Sequence, residues 1–271
     1  MATKSTDPVT VLIVTGVGMA AAVAARTVPV LTEHFGVLTF HAGRPADDGR
    51  AGAGSAIERL ADDALAVLDG AGADRAHVYG LSFGGMVAQE LALRHPDRVG
   101  ALVLGATSAG GSLRVAPDSD AQAFIARRSQ MPPEEAVWGS VPYSYAVATR
   151  RRHASRIGQD IAVRLRAPVD PDDHRVQRAA ALEHDAADRL QDLDLPTLVV
   201  HGEEDRLVPP ANGVAVAGAI PGARMLLLPD AAHMYPTDDL DADARVASFL
   251  LEQSPSRRPP RASGNGRAAR A

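Results

Sequence analysis

The sequence predicts an α/β architecture: a mainly parallel six-stranded sheet, helices on both faces, and a helical insertion after the fourth strand. Three observations lead there. Short runs of Val, Ile and Leu alternate with stretches of helical periodicity, the pattern of a parallel sheet covered on both sides. That alternation is interrupted once, over residues 107–190, where only helical stretches occur. Turns rich in glycine or acidic residues follow several of the strand-like runs, at the edge where open parallel sheets bind ligands.

The elements follow in order. VTVLIVT, residues 9–15, is the first strand and runs into TGVGMAA, residues 15–21. VPVLTEHF, 28–35, reads as a short helix with Pro29 near its start, where a missing N–H is tolerated. VLTF, 37–40, is the second strand. Residues 55–69 put Ile57, Leu60, Ala64, Leu65 and Leu68 on one helical face, with Ser55 as N-cap. AHVYG, 76–80, is the third strand, FGGMVAQELALRHP, 83–96, a helix stopped by Pro96, and ALVLG, 101–105, the fourth strand.

In the insertion DAQAFIARR, YAVATRRRHASRI and RVQRAAALEHDAADRL read as helical, placed to cover a site as a lid. TLVVHG, 197–202, follows the breaker Pro196 as the fifth strand, RMLLLP, 224–229, is the sixth, and residues 240–251 form a last amphipathic helix. The expected organisation is a core of residues 1–106 and 191–253, a helical lid of 107–190 and a basic tail of 254–271.

Composition narrows the chemistry. Of the 271 residues 46% are apolar, enough for a sizeable core. There is no cysteine, which excludes disulfides, thiolate zinc sites and a cysteine nucleophile. No secretory signal and no apolar run long enough to span a membrane is visible, and a cytoplasmic location is expected. Net charge is −5, yet the stretch from Ser254 onward holds five arginines and no acid, so the rest carries −10. Such a body repels nucleic acid, and the Pro-, Gly-, Ser- and Arg-rich tail has too little apolar area to fold. Oligomeric state is not legible.

TGVGMAA fits two chemistries. Its G-x-G-x-x-A spacing suits a dinucleotide pyrophosphate, and the same turn can offer a backbone N–H to a transient oxyanion. The third strand then runs straight into Gly80-Leu81-Ser82-Phe83-Gly84. G-x-S-x-G between a buried strand and a helix puts a serine on a tight turn, with small neighbours where the backbones pass close and helix N-terminal amides facing developing negative charge. A serine hydroxyl needs a base, and the base an orienting acid. Asp205 follows the fifth strand and His233 the sixth, giving the order Ser82, Asp205, His233 at one sheet edge. Glu203 and Glu204 compete with Asp205 for the acid role, and position favours Asp205.

These segments resemble the α/β-hydrolase-fold superfamily. GLSFGGMVAQELALRHPDRVGALVLGATSAG (80–110), LPTLVVHGEEDRLVPP and IPGARMLLLPDAAHM are similar to the 3-oxoadipate enol-lactonase-like group and neighbouring carboxylesterases. The resemblance implies Ser82 as nucleophile, Asp205 as acid and His233 as base, with the oxyanion held by the backbone N–H groups of Val17 and Phe83. A dinucleotide site would want a carboxylate near the end of the second strand, where Phe40 and His41 stand. The chain departs from the family at Thr15, where a histidine is usual, and in FHAGRPADD, which keeps only Gly43 and Arg44 of the usual pattern. By that resemblance VTVLIVT corresponds to the third strand of the full fold, so the usual first two strands are expected to be absent or trimmed and VLTF to lie at the edge of a six-stranded sheet.

The resemblance implies hydrolysis of a small carboxylic ester or lactone, without cofactor or metal. The same triad also serves thioesterases, C–C bond hydrolases and cofactor-free perhydrolases, and a hydrolase scaffold can bind a ligand without turning it over. Met19, Phe124, Trp138, Tyr143 and Tyr145 are candidates to line an apolar pocket under the lid, although Trp138 and the tyrosines serve equally to pack lid helices. His201 reads as a satisfied structural histidine, His41 as a remote candidate for substrate contact, and His184 with Asp185 as a surface or local hydrogen-bonding pair.

Overall fold

The computed structural model describes residues 9–16, 18–43 and 54–254. Its six strands are β1 (Thr10–Gly16), β2 (Gly36–Ala42), β3 (Ala76–Leu81), β4 (Val99–Gly105), β5 (Thr197–Gly202) and β6 (Arg224–Leu228). They form one sheet in the order β2-β1-β3-β4-β5-β6, every neighbouring pair parallel. The four interior strands are almost wholly buried, while β2 and β6 alternate or expose side chains, as edges must. The order reverses between β1 and β3, so the turns leaving these two strands flank the crevice where such sheets take ligands.

Twelve helices lie among the described residues. The core carries α1 (Ala20–Thr32), α2 (Ala56–Gly70) and α3 (Phe83–Arg94). Between β4 and β5 come α4 (Ser119–Arg127), α5 (Pro133–Gly139), α6 (Val141–Ser144), α7 (Val147–Arg152), α8 (Ala154–Arg166) and α9 (Pro171–Glu183). The chain closes with α10 (Pro210–Ala219), α11 (Tyr235–Asp238) and α12 (Ala242–Glu252). Two apolar clusters fill the sheet's two faces, one centred on α2 and α3, the other on α1 and α12. The ends of the inserted segment are tied together, Ala186 N donating to Ala109 O at 2.8 Å beside a bridge between Gly110 and Asp185.

Local chemistry explains the boundaries. Ser55 caps α2 in a full capping box: its Oγ accepts from Glu58 N, and Glu58 Oε2 accepts from Ser55 N at 2.8 Å. Around Pro29 the expected short helix is corrected. α1 begins at Ala20 and carries Pro29 inside it. The alanine-rich AAAVAART run has the propensity to start a helix at once, and packing of Ala22, Val23 and Leu31 outweighs one lost hydrogen bond. YAVATRRRHASRI divides at His153 into α7 and α8, and the third inserted helix ends at Glu183, where His184 turns extended. The expected tail begins one residue too early: Ser254 Oγ bonds His77 Nε2 at 3.0 Å. The rest of that tail and the stretch around Arg44 lie outside the described residues.

One buried polar knot sets a pH dependence. Tyr79 on β3 meets Tyr235 Oη at 2.5 Å and donates to Asp243 Oδ1 at 3.1 Å. Burial raises the Asp243 pKa to about 6 against the carboxylate's ordinary 3.8, a tendency opposed by the Tyr79 hydrogen bond and reinforced by Asp239. A carboxyl whose folded pKa is raised favours folding fully below its unfolded value, and this contribution is lost as pH climbs through the folded one. Asp243→Asn, always neutral, is therefore expected to match the parent near pH 4 and to exceed it at pH 7. The gap should reach about 3 kcal/mol, two pKa units' worth. Urea midpoints at the two pH values check this; an identical difference at both would contradict it.

Candidate active site

Ser82 sits between β3 and α3 with φ 54° and ψ −120°, a conformation that non-glycine residues seldom adopt. The surrounding contacts hold it there. Ser82 N donates to Gly105 O at 2.8 Å, and its own carbonyl accepts from Thr107 Oγ1 at 2.7 Å and Gly85 N at 2.9 Å. The flanking glycines are required by close approach: a Cβ on Gly80 would stand 2.5 Å from Ala88 Cβ, and one on Gly84 2.1 Å from Val14 O. β1 and β3 thus pass close against α3, and the serine hydroxyl is left partly exposed at the sheet edge.

His233 lies in the loop after β6. Its Nε2 is 2.9 Å from Ser82 Oγ and its Nδ1 2.8 Å from Asp205 Oδ2. The carboxylate can only accept, so Nδ1 carries the proton and Nε2 is left free to accept from the serine hydroxyl. The loop is pinned on both sides of the ring. Ala232 N donates to Asp238 Oδ2 at 2.8 Å, and Met234 N to Ser144 O at 2.8 Å.

Asp205 is 3% exposed and fully engaged. Oδ1 accepts from the N–H groups of Leu207 and Val208, each at 2.9 Å. Oδ2 takes His233 and lies 3.3 Å from His201 Nε2. Burial alone would push its pKa up, but the charge on His233 and hydrogen bonds from His201 and His233 outweigh it and bring the pKa down to about 2. Glu203 points to solvent, and Glu204 accepts from Val147 N at 2.7 Å, tying this loop to α7.

The structure therefore brings Ser82, His233 and Asp205 into one hydrogen-bonded chain. Phe83 opens α3, where a first-turn N–H has no partner within the helix. Val17 lies outside the described residues, while the adjacent Gly16 packs on the elbow, a Cβ there standing 3.2 Å from Phe83 Cβ.

The pocket candidates fare differently. Met19 is buried in the cluster around α1. Trp138 is 51% exposed, its short helix burying Ala136 instead. Tyr143 packs helices: its ring stacks on Phe124 at 4.8 Å, its hydroxyl donates to Asp120, and Arg206 covers the ring. Tyr145 is buried, with its hydroxyl on Asp160. His41 Nδ1 is 3.1 Å from Thr15 Oγ1, joining the ends of β1 and β2.

His184 is buried rather than on the surface, 3.7 Å from Glu90 Oε1, because Glu90 on α3 is drawn inward and held by both Nη atoms of Arg189. His201 is the residue that the sequence reading undervalued. Its Nε2 is shared between Val208 O at 2.8 Å and Asp205. The signal for it was the four-residue spacing to Asp205 across a strand end.

The family model described as the alpha/beta hydrolase fold matches residues 9–239. The chain is 30% identical over 258 residues to the protein named "Putative carbamate hydrolase RutD" in Pseudomonas syringae pv. syringae, covering 93% of this chain and 97% of that one. Among solved structures it is similar to a hydrolase from Pseudomonas aeruginosa PA01, with 29% identity, a TM-score of 0.74 and 91% of each chain covered. It is also similar to a thermophilic esterase from Thermogutta terrifontis, with 26% identity, a TM-score of 0.70 and 91% of each chain covered. With a six-stranded parallel sheet, inserted helices and a serine elbow at the sheet edge, the chain belongs to the alpha/beta hydrolase fold family, close to its esterase- and lactonase-type hydrolases.

Proposed function

We propose that this protein is a serine hydrolase that cleaves a carboxylic ester or lactone through an acyl-enzyme. The observation that carries the reading is the continuous chain from Ser82 Oγ through His233 to Asp205, with spacings of 2.9 and 2.8 Å. In the first half-reaction Ser82 Oγ attacks the carbonyl carbon while His233 Nε2 takes its proton. The carbonyl oxygen becomes an oxyanion facing the N–H of Phe83 and, by its place in the sequence, that of Val17. Asp205 keeps His233 in the accepting tautomer and stabilises the imidazolium. On collapse, His233 returns the proton to the leaving alkoxide, which in a lactone is the substrate's own hydroxyl. A water then attacks the acyl-serine with His233 as base, and Ser82 is regenerated. Helices α4–α9 act as a lid over this edge.

A panel of esters, lactones and thioesters with graded acyl size tests the reading. The expected result is turnover of an ester or lactone with covalent fluorophosphonate labelling at Ser82. Turnover confined to thioesters or to C–C bonds would overturn it, as would labelling with no turnover of any kind.

His201 enters this mechanism as a positioning residue, since it touches Asp205 and not the substrate. Removing its N–H makes the carboxylate more basic and strengthens its hold on the imidazolium. His201→Leu is expected to lower kcat/KM by roughly ten-fold and to move the acid limb of the kcat/KM profile to higher pH. His201→Gln, which keeps a donor, should restore the limb in part. An acid limb unmoved in His201→Leu would show a purely structural role.

A further inference from the structure

Where α6 passes into α7, the inserted segment bonds to both the loop that carries Asp205 and the loop that carries His233. Tyr143 O accepts from Arg206 N at 3.4 Å, and Val147 N donates to Glu204 Oε2 at 2.7 Å, so both neighbours of Asp205 are held. Ser144 O accepts from Met234 N at 2.8 Å, and Ala146 N donates to Asp238 Oδ2 at 3.1 Å. The same Asp238 oxygen takes Ala232 N at 2.8 Å, so both neighbours of His233 are held as well. These ties add to a direct one between the two loops, Glu204 N donating to Ala231 O at 2.9 Å.

The bonding segment is itself fixed. Tyr143, Ser144, Tyr145 and Ala146 are buried. Tyr145 Oη donates to Asp160 of α8, and Asp160 is in turn paired with Arg26 of α1 at 2.8 Å. The Asp238 carboxyl is kept at a cost. Burial raises its pKa to about 6 against the hydrogen bonds of Thr149, Ala232 and Ala146, and Glu204 adds to the rise. Its Oδ1 has no hydrogen-bond partner among the described residues. The side chain therefore serves through Oδ2, the oxygen shared by the two amides.

We infer that residues 143–147 are a strap that fixes His233 against Asp205, and that Asp238 is a positioning residue whose Oδ2 joins the strap to the loop of His233. The inference rests on the serine-hydrolase reading for the reaction that the strap serves, not for the strap's own geometry. A ring held on both flanks keeps Nε2 within reach of Ser82 through each proton transfer, with no reorganisation at the moment of reaction.

The backbone allows the strap to be cut one bond at a time. Ala146 has φ −61° and ψ 152°, Tyr145 before it is extended at φ −123° and ψ 141°, and Val147 is the first residue of α7. Proline fits both places and removes the N–H. Ala146→Pro, Val147→Pro and Asp238→Ala are each expected to lower kcat for the best ester by about ten-fold or more, with KM within about three-fold of the parent. Asp238→Asn keeps an oxygen for the two amides and puts its NH2 where Oδ1 had no partner, so it should hold kcat within about three-fold of the parent. In protein with isotope-labelled histidine, nitrogen NMR should show the His233 proton on Nδ1 in the parent and in Asp238→Asn. The same ring should average between tautomers in Asp238→Ala and Ala146→Pro. Where one variant does not fold, the others decide. Folded proline variants with parental kcat and ring signals overturn the inference, as does a change confined to KM or an Asp238→Asn as impaired as Asp238→Ala. Loss of the fold in all three strap variants also overturns it, making the segment a folding element. If no ester turns over, the hydrolase reading has failed and the ring signals alone decide the strap.

Discussion

Ser82→Ala is expected to lower turnover of the best ester by on the order of 10³-fold or more, with the melting temperature held or raised. The loss follows from the geometry: among the described residues, the hydroxyl hydrogen-bonded to His233 Nε2 is Ser82 Oγ, at 2.9 Å. Retained stability follows from the strain. The φ of 54° is unfavourable for serine and alanine alike, and the hydrogen bonds that enforce it come from the backbone of residue 82, which the substitution leaves in place. Steady-state kinetics with a melting curve decide the matter; turnover within a few-fold of the parent would rule Ser82 out as nucleophile.

Asp205→Asn should also be strongly damaging, by about 10⁴-fold in kcat, for a different reason. The amide oxygen can still accept from Leu207 and Val208 N–H, so the loop survives. Its NH2 group then faces His233 Nδ1 and His201 Nε2, where the carboxylate accepted from both. His233 is driven to the opposite tautomer, with a proton on Nε2, and can no longer accept from Ser82. The same carboxylate has a folded pKa lowered to about 2, so its stabilisation is complete above pH 3.8 and fades as pH falls toward 2. Unfolding curves of Asp205→Asn should accordingly converge on the parent's at the acid end. An unimpaired Asp205→Asn beside an inactive Glu204→Gln would move the acid role to Glu204.

Much of this was legible in the chain because parallel strands buried on both faces leave continuous apolar runs. TLVVHG is a strand over the same residues in sequence and structure, and the elbow glycines are forced by backbone contacts that side chains would block. Ser82, Asp205 and His233 were readable for the same reason: each follows a strand end, and parallel strands deliver their ends to one edge. What the sequence hid depends on packing. Pro29 looked like a helix start because local rules cannot weigh the burial of Leu31 against one missing hydrogen bond. Trp138 looked like a pocket residue by type, yet its helix is short enough to turn it outward. The insertion's ties to the loops of Asp205 and His233 run through backbone groups of Tyr143, Ser144, Ala146 and Val147, and no side-chain pattern announces them.

The central claim is that an acyl group passes through Ser82. Rapid acid quenching of the parent protein within its first turnovers of an activated ester, followed by intact and peptide mass measurement, tests it most directly. The account predicts about one acyl increment per chain, carried on the peptide containing Ser82, lost on longer incubation and missing in Ser82→Ala. Turnover that proceeds with no acyl increment at any quench time, or with the increment on another peptide, would contradict it.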